Sequence, residues 1–316
     1  VSEEPVYLEW SGVKLNQLEI FCKIVELGSF SKAAEALRLS QPTLSGHIRS
    51  LEEQLGIILL DRLGRKILPT RAGEMFYLDA RKILRLRGEA EQKMLGLRGE
   101  LKGDLLVGAS TIPGEYIIPS LIKEFRDTYP DILIRLNIYD TKKVIENVLH
   151  HEIELGVAGA RVDDPKLEYR RFVKDELVLI TRSNTPWEKQ RSITFEKLKE
   201  IPFISREEGS GTRMIMEKTL KDQGFDVTQL KTVMTVGSTT AVIQAVKSGA
   251  GCSIVSHRSV REDIDRRILK HLPIKNINFI RDFYLITRRG KTPSSLCRVF
   301  FDYLLKKPKI TDCSPD

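Results

Sequence analysis

The sequence predicts an α/β protein with a mostly helical head, and three observations carry that prediction. Before residue 56, apolar residues recur at helical spacing in three short runs, each closed by a glycine or a tight turn. From Ala72 to Leu97 a proline-free stretch keeps apolar residues four and three apart. After Gly103, short β-rich runs alternate with helical ones in strand–helix–strand order.

The chain has 316 residues, 41% hydrophobic and 30% charged, which is enough for two or three domains with their own cores. A formal charge of +8 permits a nucleic-acid partner, but the excess is spread, with +5 over 13–102 and +6 over 103–316. Charge alone therefore does not locate a binding face. Cys22, Cys252, Cys297 and Cys313 form no CxxC pair, so neither a disulfide framework nor a metal site is expected. No run approaches the roughly 18 apolar residues of a membrane span, and no signal-peptide layout opens the chain, so a cytoplasmic protein without a membrane partner is expected. Residues 1–12 are acidic and unpatterned and read as a flexible extension.

The head spans 13–71. Leu15, Leu18, Phe21, Cys22 and Val25 define a first helix over Leu15 to Leu27, ended by Gly28. A second runs from Lys32 to Leu37 with Ser31 placed to cap it, and a third begins at the N-cap Ser40, with Pro42 tolerated in its first turn. Leu44, Ile48, Leu51 and Leu55 make one core stripe on this third helix. Its other faces carry Gln41, Pro42, Thr43, Ser45, Gly46, His47 and Arg49, short or polar groups suited to base edges and phosphates at a helix N-terminus. Gly56 stops the helix, and Leu60 to Thr70 read as a hairpin with a basic tip. Arg62, Arg65, Lys66 and Arg71 face only Asp61 locally, a pattern for phosphate contacts that position without reading sequence. Helix, turn, helix and basic hairpin together make a winged helix-turn-helix.

The run from Gly28 to Glu74 resembles the signature of LysR-type transcriptional regulators. The pieces that match are Gly28-Ser29-Phe30, Ala33-Ala34, Leu39-Ser40-Gln41-Pro42, Ser45, Ile48, Leu51-Glu52, Leu55-Gly56, Leu60-Asp61-Arg62, Leu68-Pro69-Thr70 and Ala72-Gly73. Gly46 departs from the family, which commonly has an arginine there, so one DNA donor is missing. The resemblance implies no cofactor and a candidate DNA-contacting set of Ser29, Ser31, Ser40, Gln41, Pro42, Thr43, Ser45, His47, Arg49, Arg62, Arg65 and Lys66. Double-stranded DNA with a dyad-symmetric operator is the expected partner, and RNA polymerase is a further candidate.

Over 72–99, Phe76, Ala80, Ile83, Arg87, Ala90, Met94 and Leu97 trace a heptad seam along a helix on the order of 40 Å long. A second copy of the chain is the simplest partner for it, with packing against its own chain as the alternative. Gly96, Gly99 and Gly103 read as a hinge. The remainder, 100–316, alternates strand and helix, with strands read at Leu105–Ala109, Ile132–Tyr139, Leu155–Ala158, Glu176–Thr181, Phe203-Ile204, Thr232–Val236, Cys252–Val255 and Phe283–Thr287. The pattern alone admits a generic, largely parallel α/β fold. The resemblance implies the two-lobed, periplasmic-binding-protein-like effector domain of the family, with lobe one over about 103–182 and 268–306 and lobe two over about 183–267. It also implies dimers and tetramers on DNA.

A ligand in such a sheet sits beyond the carboxyl ends of strands, where helix N-termini converge. Ser110, Thr111, Arg206, Ser210, Gly211, Thr212 and Ser238 are the candidate effector-binding residues, and their hydroxyls, glycine and arginine suit a small anion. The Gly209-Ser210-Gly211-Thr212-Arg213 loop resembles that of a subset of the family, some of which sense sulfur-type or other small oxyanions. Capping of their own helices is the competing role for these hydroxyls. No enzyme is expected. Met214 replaces the third glycine of a dinucleotide loop, no GxSxG or Walker loop occurs, the adjacent His150 and His151 have no third metal ligand nearby in sequence, and His257 and His271 are isolated in it.

Overall fold

The computed structural model describes residues 12–63, 66–98, 100–187 and 189–307, with the side chains at 62, 63, 66, 92, 93 and 97 also left aside. The expected extension over 1–12, the wing residue Arg65 and the glycine at 99 thus fall wholly or almost wholly outside the described residues. The chain divides into two compact units, one ending at Met94 and the other starting at Leu95.

In the first unit, α1 (Leu15–Leu27), α2 (Phe30–Leu37) and α3 (Gln41–Leu55) surround Phe21, Ile24, Leu44, Ile48 and Leu51, all buried. Gly28 and Gly56 end α1 and α3 in the left-handed region, at φ 59° and 65°, which glycine adopts without the Cβ clash. Ser40 caps α3 as expected, accepting the Thr43 N–H at 3.2 Å. The cap of α2 differs from expectation. Ser29, not Ser31, accepts the Lys32 N–H, because burying Phe30 starts the helix earlier, and Ser31 Oγ instead donates to Gln41 Oε1 at 3.1 Å. The hairpin β1 (Leu60–Leu63) and β2 (Lys66–Pro69) follows. Glu52 ties it to α3, its Oε1 accepting the N–H groups of Leu59 at 2.8 Å and Leu60 at 3.1 Å.

Helix α4 (Arg71–Leu97) is the long helix. Its heptad seam does not stay on one free face. Phe76 and Ala80 pack into the first unit's own core, with the Phe76 ring 5.3 Å from that of Phe21, and Arg87 pairs with Glu19 at 2.6 Å. Met75, Leu78, Ile83, Leu86 and Met94 are left exposed. Gly96, read as part of a hinge, is helical here, and a Cβ there would lie 2.1 Å from Ser295 Oγ.

The second unit contains β3 (Gly103–Ser110), α5 (Ile118–Thr128, entered by a wide turn over Pro113–Ile117), β4 (Ile132–Tyr139), α6 (Thr141–Leu149), β5 (Leu155–Ala158) and β6 (Leu167–Arg182). It continues with α7 (Phe195–Leu198), β7 (Phe203–Arg206), α8 (Gly211–Asp222), β8 (Thr232–Val236), α9 (Thr239–Lys247) and β9 (Ser253–Ser256). It closes with α10 (Arg261–Asp265), β10 (Leu269–His271), β11 (Phe279–Arg288) and α11 (Ser295–Leu305). The main sheet has the order β10-β6-β11-β5-β3-β4, with β9 also on β6, while β7 and β8 pair separately. It is mixed rather than largely parallel. Strands β3, β4 and β5 run parallel, but β11 is antiparallel to β5 and β6.

Two lobes have separate cores. Leu105, Val107, Phe125, Phe172, Val173, Phe283 and Phe300 belong to the first, and Leu177, Leu179, Phe203, Leu220, Cys252 and Phe279 to the second. The chain changes lobe between Val173 and Leu177 and returns between Phe279 and Phe283. The sequence-based expectation was near 182 and 268. Strand β6 is 16 residues long, and its polar first half, Leu167 to Lys174, hides the strand from a reading based on apolar runs.

Candidate functional site

Two regions bring predicted residues together, one in each unit. On α3, Leu44, Ile48 and Leu51 face inward, so the opposite ridge at the same spacing is Pro42, Gly46 and Arg49, all exposed. Gln41 and Thr43 flank it in the open, with Ser45 and His47 half-buried. The hydroxyls of Ser40 and Thr43 lie 2.7 Å apart, and the Ser31–Gln41 bond joins the start of α2 to that of α3, with Ser29 half-buried beside it. The ridge is therefore low in relief over its first two turns, with hydrogen-bonding groups on its shoulders. Arg49 pairs with Glu53 at 3.0 Å, but both side chains are more than half exposed, so this pair leaves the guanidinium available to a phosphate. Among the described residues a Cβ on Gly46 would meet nothing within 4 Å, so no packing among them calls for a glycine there. The side chains of Arg62 and Lys66, and all of Arg65, lie outside the described residues.

The second region is a cleft between the lobes, open to solvent. Ser110 and Thr111 reach it from the end of β3, Asp140 and Thr141 from the start of α6, and Arg206 from the end of β7. Ser210, Gly211 and Thr212 come from the start of α8, and Arg281 from β11. The parallel strands thus end at the cleft, and the N-termini of α6 and α8 point to it, which places partial positive charge there. Ser210 occupies the N-cap position of α8 without using its hydroxyl for the cap. Asp140 differs: its carboxylate accepts the Lys143 N–H at 2.7 Å and is engaged by α6.

Both buried arginines have a carboxylate. Arg206 donates from Nε and Nη2 to the two oxygens of Glu207, each at 2.7 Å, and from Nη1 to Thr239 Oγ1 at 2.7 Å. Arg281 meets Asp175 at 2.7 and 2.8 Å. Burial pulls the Arg281 guanidinium below its ordinary pKa while Asp175 holds it up. Glu115, on the turn before α5, is pushed up by desolvation against the opposing effect of Arg206. The lobes touch at this point. Lys142 N–H donates to Gly209 O at 3.4 Å, and a Cβ on Gly211 would lie 2.4 Å from Thr141 Oγ1.

Six of the seven predicted effector residues line this cleft, and Ser238 does not. Its hydroxyl caps α9, accepting the Ala241 N–H at 3.1 Å, and the next residue, Thr239, reaches Arg206 instead. Ile112, Asp140, Thr141 and Arg281 were not foreseen. The strand end before Asp140-Thr141 was a usable signal for those two, since it has the same strand-to-helix form as the loop before Ser210. Arg281 carries none, being one charge within a strand. Among the described residues, no three His, Cys, Asp or Glu side chains are grouped to hold a metal ion, and no helix is long and apolar enough to cross a membrane.

Residues 15–74 match the bacterial regulatory helix-turn-helix protein, lysR family, and residues 98–309 match the LysR substrate binding domain. A probable RuBisCO transcriptional regulator of Cyanidium caldarium is 34% identical over 303 residues, covering 93% of this chain and 95% of that protein. The transcriptional activator CmpR of Synechocystis is 32% identical over 290 residues, covering 92% and 94%. The regulatory domain of Synechocystis CcmR, solved in complex with 2-PG, superposes with a TM-score of 0.61 at 28% identity, covering 66% of this chain and 99% of that one. Full-length CbnR complexed with its target DNA has the same fold, with a TM-score of 0.71 at 22% identity over 93% of this chain and 99% of its own.

Proposed function

The chain belongs to the LysR family of DNA-binding transcriptional regulators, and from that premise we propose that it answers to a small phosphate- or carboxylate-bearing anion held between its lobes. The observation that carries this is the cleft itself. Two helix N-termini, the hydroxyls of Ser110, Thr111, Thr141, Ser210 and Thr212, and two buried guanidiniums converge on this cleft. With each arginine already balanced by a carboxylate, selectivity rests on hydroxyl and amide donors more than on bare charge. The relative solved with 2-PG makes 2-phosphoglycolate the first compound to try.

In this reading the Pro42–Gly46–Arg49 ridge of α3 enters the major groove, with Gln41, Thr43, Ser45 and His47 at base edges and Ser29, Ser31 and Ser40 near phosphates. Arg62, Arg65 and Lys66 lie along the backbone. The exposed Met75, Leu78, Ile83, Leu86 and Met94 on α4 are covered by a second copy, which suits a dyad-symmetric operator. The protein acts in the cytoplasm by binding alone and performs no catalysis.

Calorimetry on the full chain with 2-phosphoglycolate, inorganic phosphate and sulfate tests the effector reading. Saturable binding of one of them, lost on Ser210→Ala with Thr212→Val, is expected. Equal heats for the native and doubly substituted chains would remove the cleft as the site.

A further inference from the structure

The chain passes between the lobes twice, along β6 and back along β11, and the ladder between them sets Asp175 directly opposite Arg281. These two residues stand where the core changes hands, between Val173 and Leu177 on one strand and between Phe279 and Phe283 on the other. Both side chains are almost wholly buried, at 0% and 3% exposure. A buried ion pair holds two strands together no better than a well-packed apolar pair. Its occurrence at the crossing therefore points to a role in position, not in stability.

Its bonds reach outward from that crossing. Ser256 Oγ, at the end of β9, donates to Asp175 Oδ1 at 2.7 Å, and Arg258 Nε lies 3.7 Å from the same oxygen. Arg281 donates from Nε to Asp175 Oδ2 at 2.8 Å and from Nη1 to Thr212 Oγ1 at 3.3 Å, and its guanidinium lies 4.6 Å over the Phe283 ring. Its Nη2 is 2.7 Å from Asp175 Oδ2 but makes no bond of hydrogen-bonding geometry, and the residue lines the cleft. One guanidinium thus touches both crossing strands, the first turn of α8 and the space where a ligand would sit.

We propose that the Asp175–Arg281 pair is the positioning element that sets the angle between the lobes and ties that angle to what occupies the cleft. An anion beside Thr212 draws on the N–H groups of Arg281 that Asp175 leaves unbonded, re-aims the guanidinium, and so favours one lobe arrangement by its differential affinity. The link to an anion rests on the effector reading above. The setting of the angle does not.

The test measures lobe separation in the full chain by electron–electron resonance between spin labels at Lys123→Cys, on α5 of lobe one, and Lys221→Cys, on α8 of lobe two. Cys22, Cys252 and Cys297 are buried and do not compete for label, and Cys313 is replaced by serine. The native pair is compared with Asp175→Asn/Arg281→Gln, which removes both charges of the pair together; should that protein not fold, Arg281→Lys serves the same comparison. One narrow distance is expected for the native pair and a broadened or displaced distribution for the variant, before any ligand is added. Added 2-phosphoglycolate then moves the native distribution but not the variant's, and its affinity falls about tenfold in the variant. Identical distributions without ligand would overturn the proposal. Distributions that differ between the proteins but ignore 2-phosphoglycolate in both would uphold the angle-setting role and reject that anion as effector.

Discussion

Replacing Gly211 with alanine tests most of the cleft's construction at once. The added Cβ would lie 2.4 Å from Thr141 Oγ1 and 3.3 Å from Thr141 Cβ, and Thr141 is only 1% exposed, so its branched side chain has little room to turn away. Overpacking of this kind costs about 1–3 kcal/mol. Removing a glycine from a helix start returns about 0.5–1 kcal/mol through the unfolded chain, leaving a net loss of up to about 2.5 kcal/mol and centred near 1 kcal/mol. For a domain of this size that lowers Tm by a few degrees, and by about 10 °C at most. Because the clash lies between lobes, it also displaces α8 from the cleft and weakens anion binding. Calorimetric scanning of Gly211→Ala, Thr141→Ala and the double variant gives the coupling. Removing Oγ1 should recover about 1 kcal/mol of the loss in the double variant, since the two residues touch. A Gly211→Ala protein as stable as the native one, with unchanged affinity for the anion, would refute the close approach on which the site description depends.

Four further outcomes follow from particular residues. Glu52→Ala leaves the N–H groups of Leu59 and Leu60 without their carboxylate and should destabilise the DNA-binding head by about 1.5–3 kcal/mol, while Glu52→Gln loses less; denaturant melts of the head measure both. Gly46→Ala should raise stability by about 0.5–1 kcal/mol, since nothing among the described residues requires the glycine, and a fall in Tm would contradict the open space found around it. Arg65→Ala should weaken binding to every DNA sequence and lower the salt slope by about one, and relaxed preference at a single operator position would contradict a phosphate role. Burial pushes the Cys22 and Cys252 thiols up to about 12, so iodoacetamide should leave both unmodified in the folded protein at pH 8 and modify them on unfolding. Because the folded state keeps these protons longer than the unfolded state, their contribution is full below about pH 9 and fades as pH rises toward 12.

The head was legible in the sequence because its signals are local. Gly28, Ser40, Pro42 and Gly56 punctuate three amphipathic runs, and only the cap of α2 was misplaced, where burial of Phe30 outweighed the better-spaced Ser31. The cleft was legible where a hydroxyl follows a strand and opens a helix, as at Ser110 and Ser210. That rule fails to separate Ser238 from Thr239, because which of two adjacent hydroxyls turns inward depends on where Arg206 lies, 33 residues away. The crossing pair was invisible. Asp175 and Arg281 are 106 residues apart, and each sits beside other charges in its own strand, Lys174 and Glu176 in one and Asp282 in the other. On α4, periodicity alone could not say which chain supplies the partner, and the first half of the seam packs against Phe21 of its own chain.

The most direct test of the whole account is the affinity and footprint of the full chain on the DNA flanking its own gene, at physiological salt, with and without 2-phosphoglycolate. Binding much tighter than to a scrambled duplex is expected, with a protected region that changes length when the anion is added. Equal affinity for the two duplexes would contradict sequence-specific regulation. A footprint indifferent to every small anion tried would contradict control from the cleft.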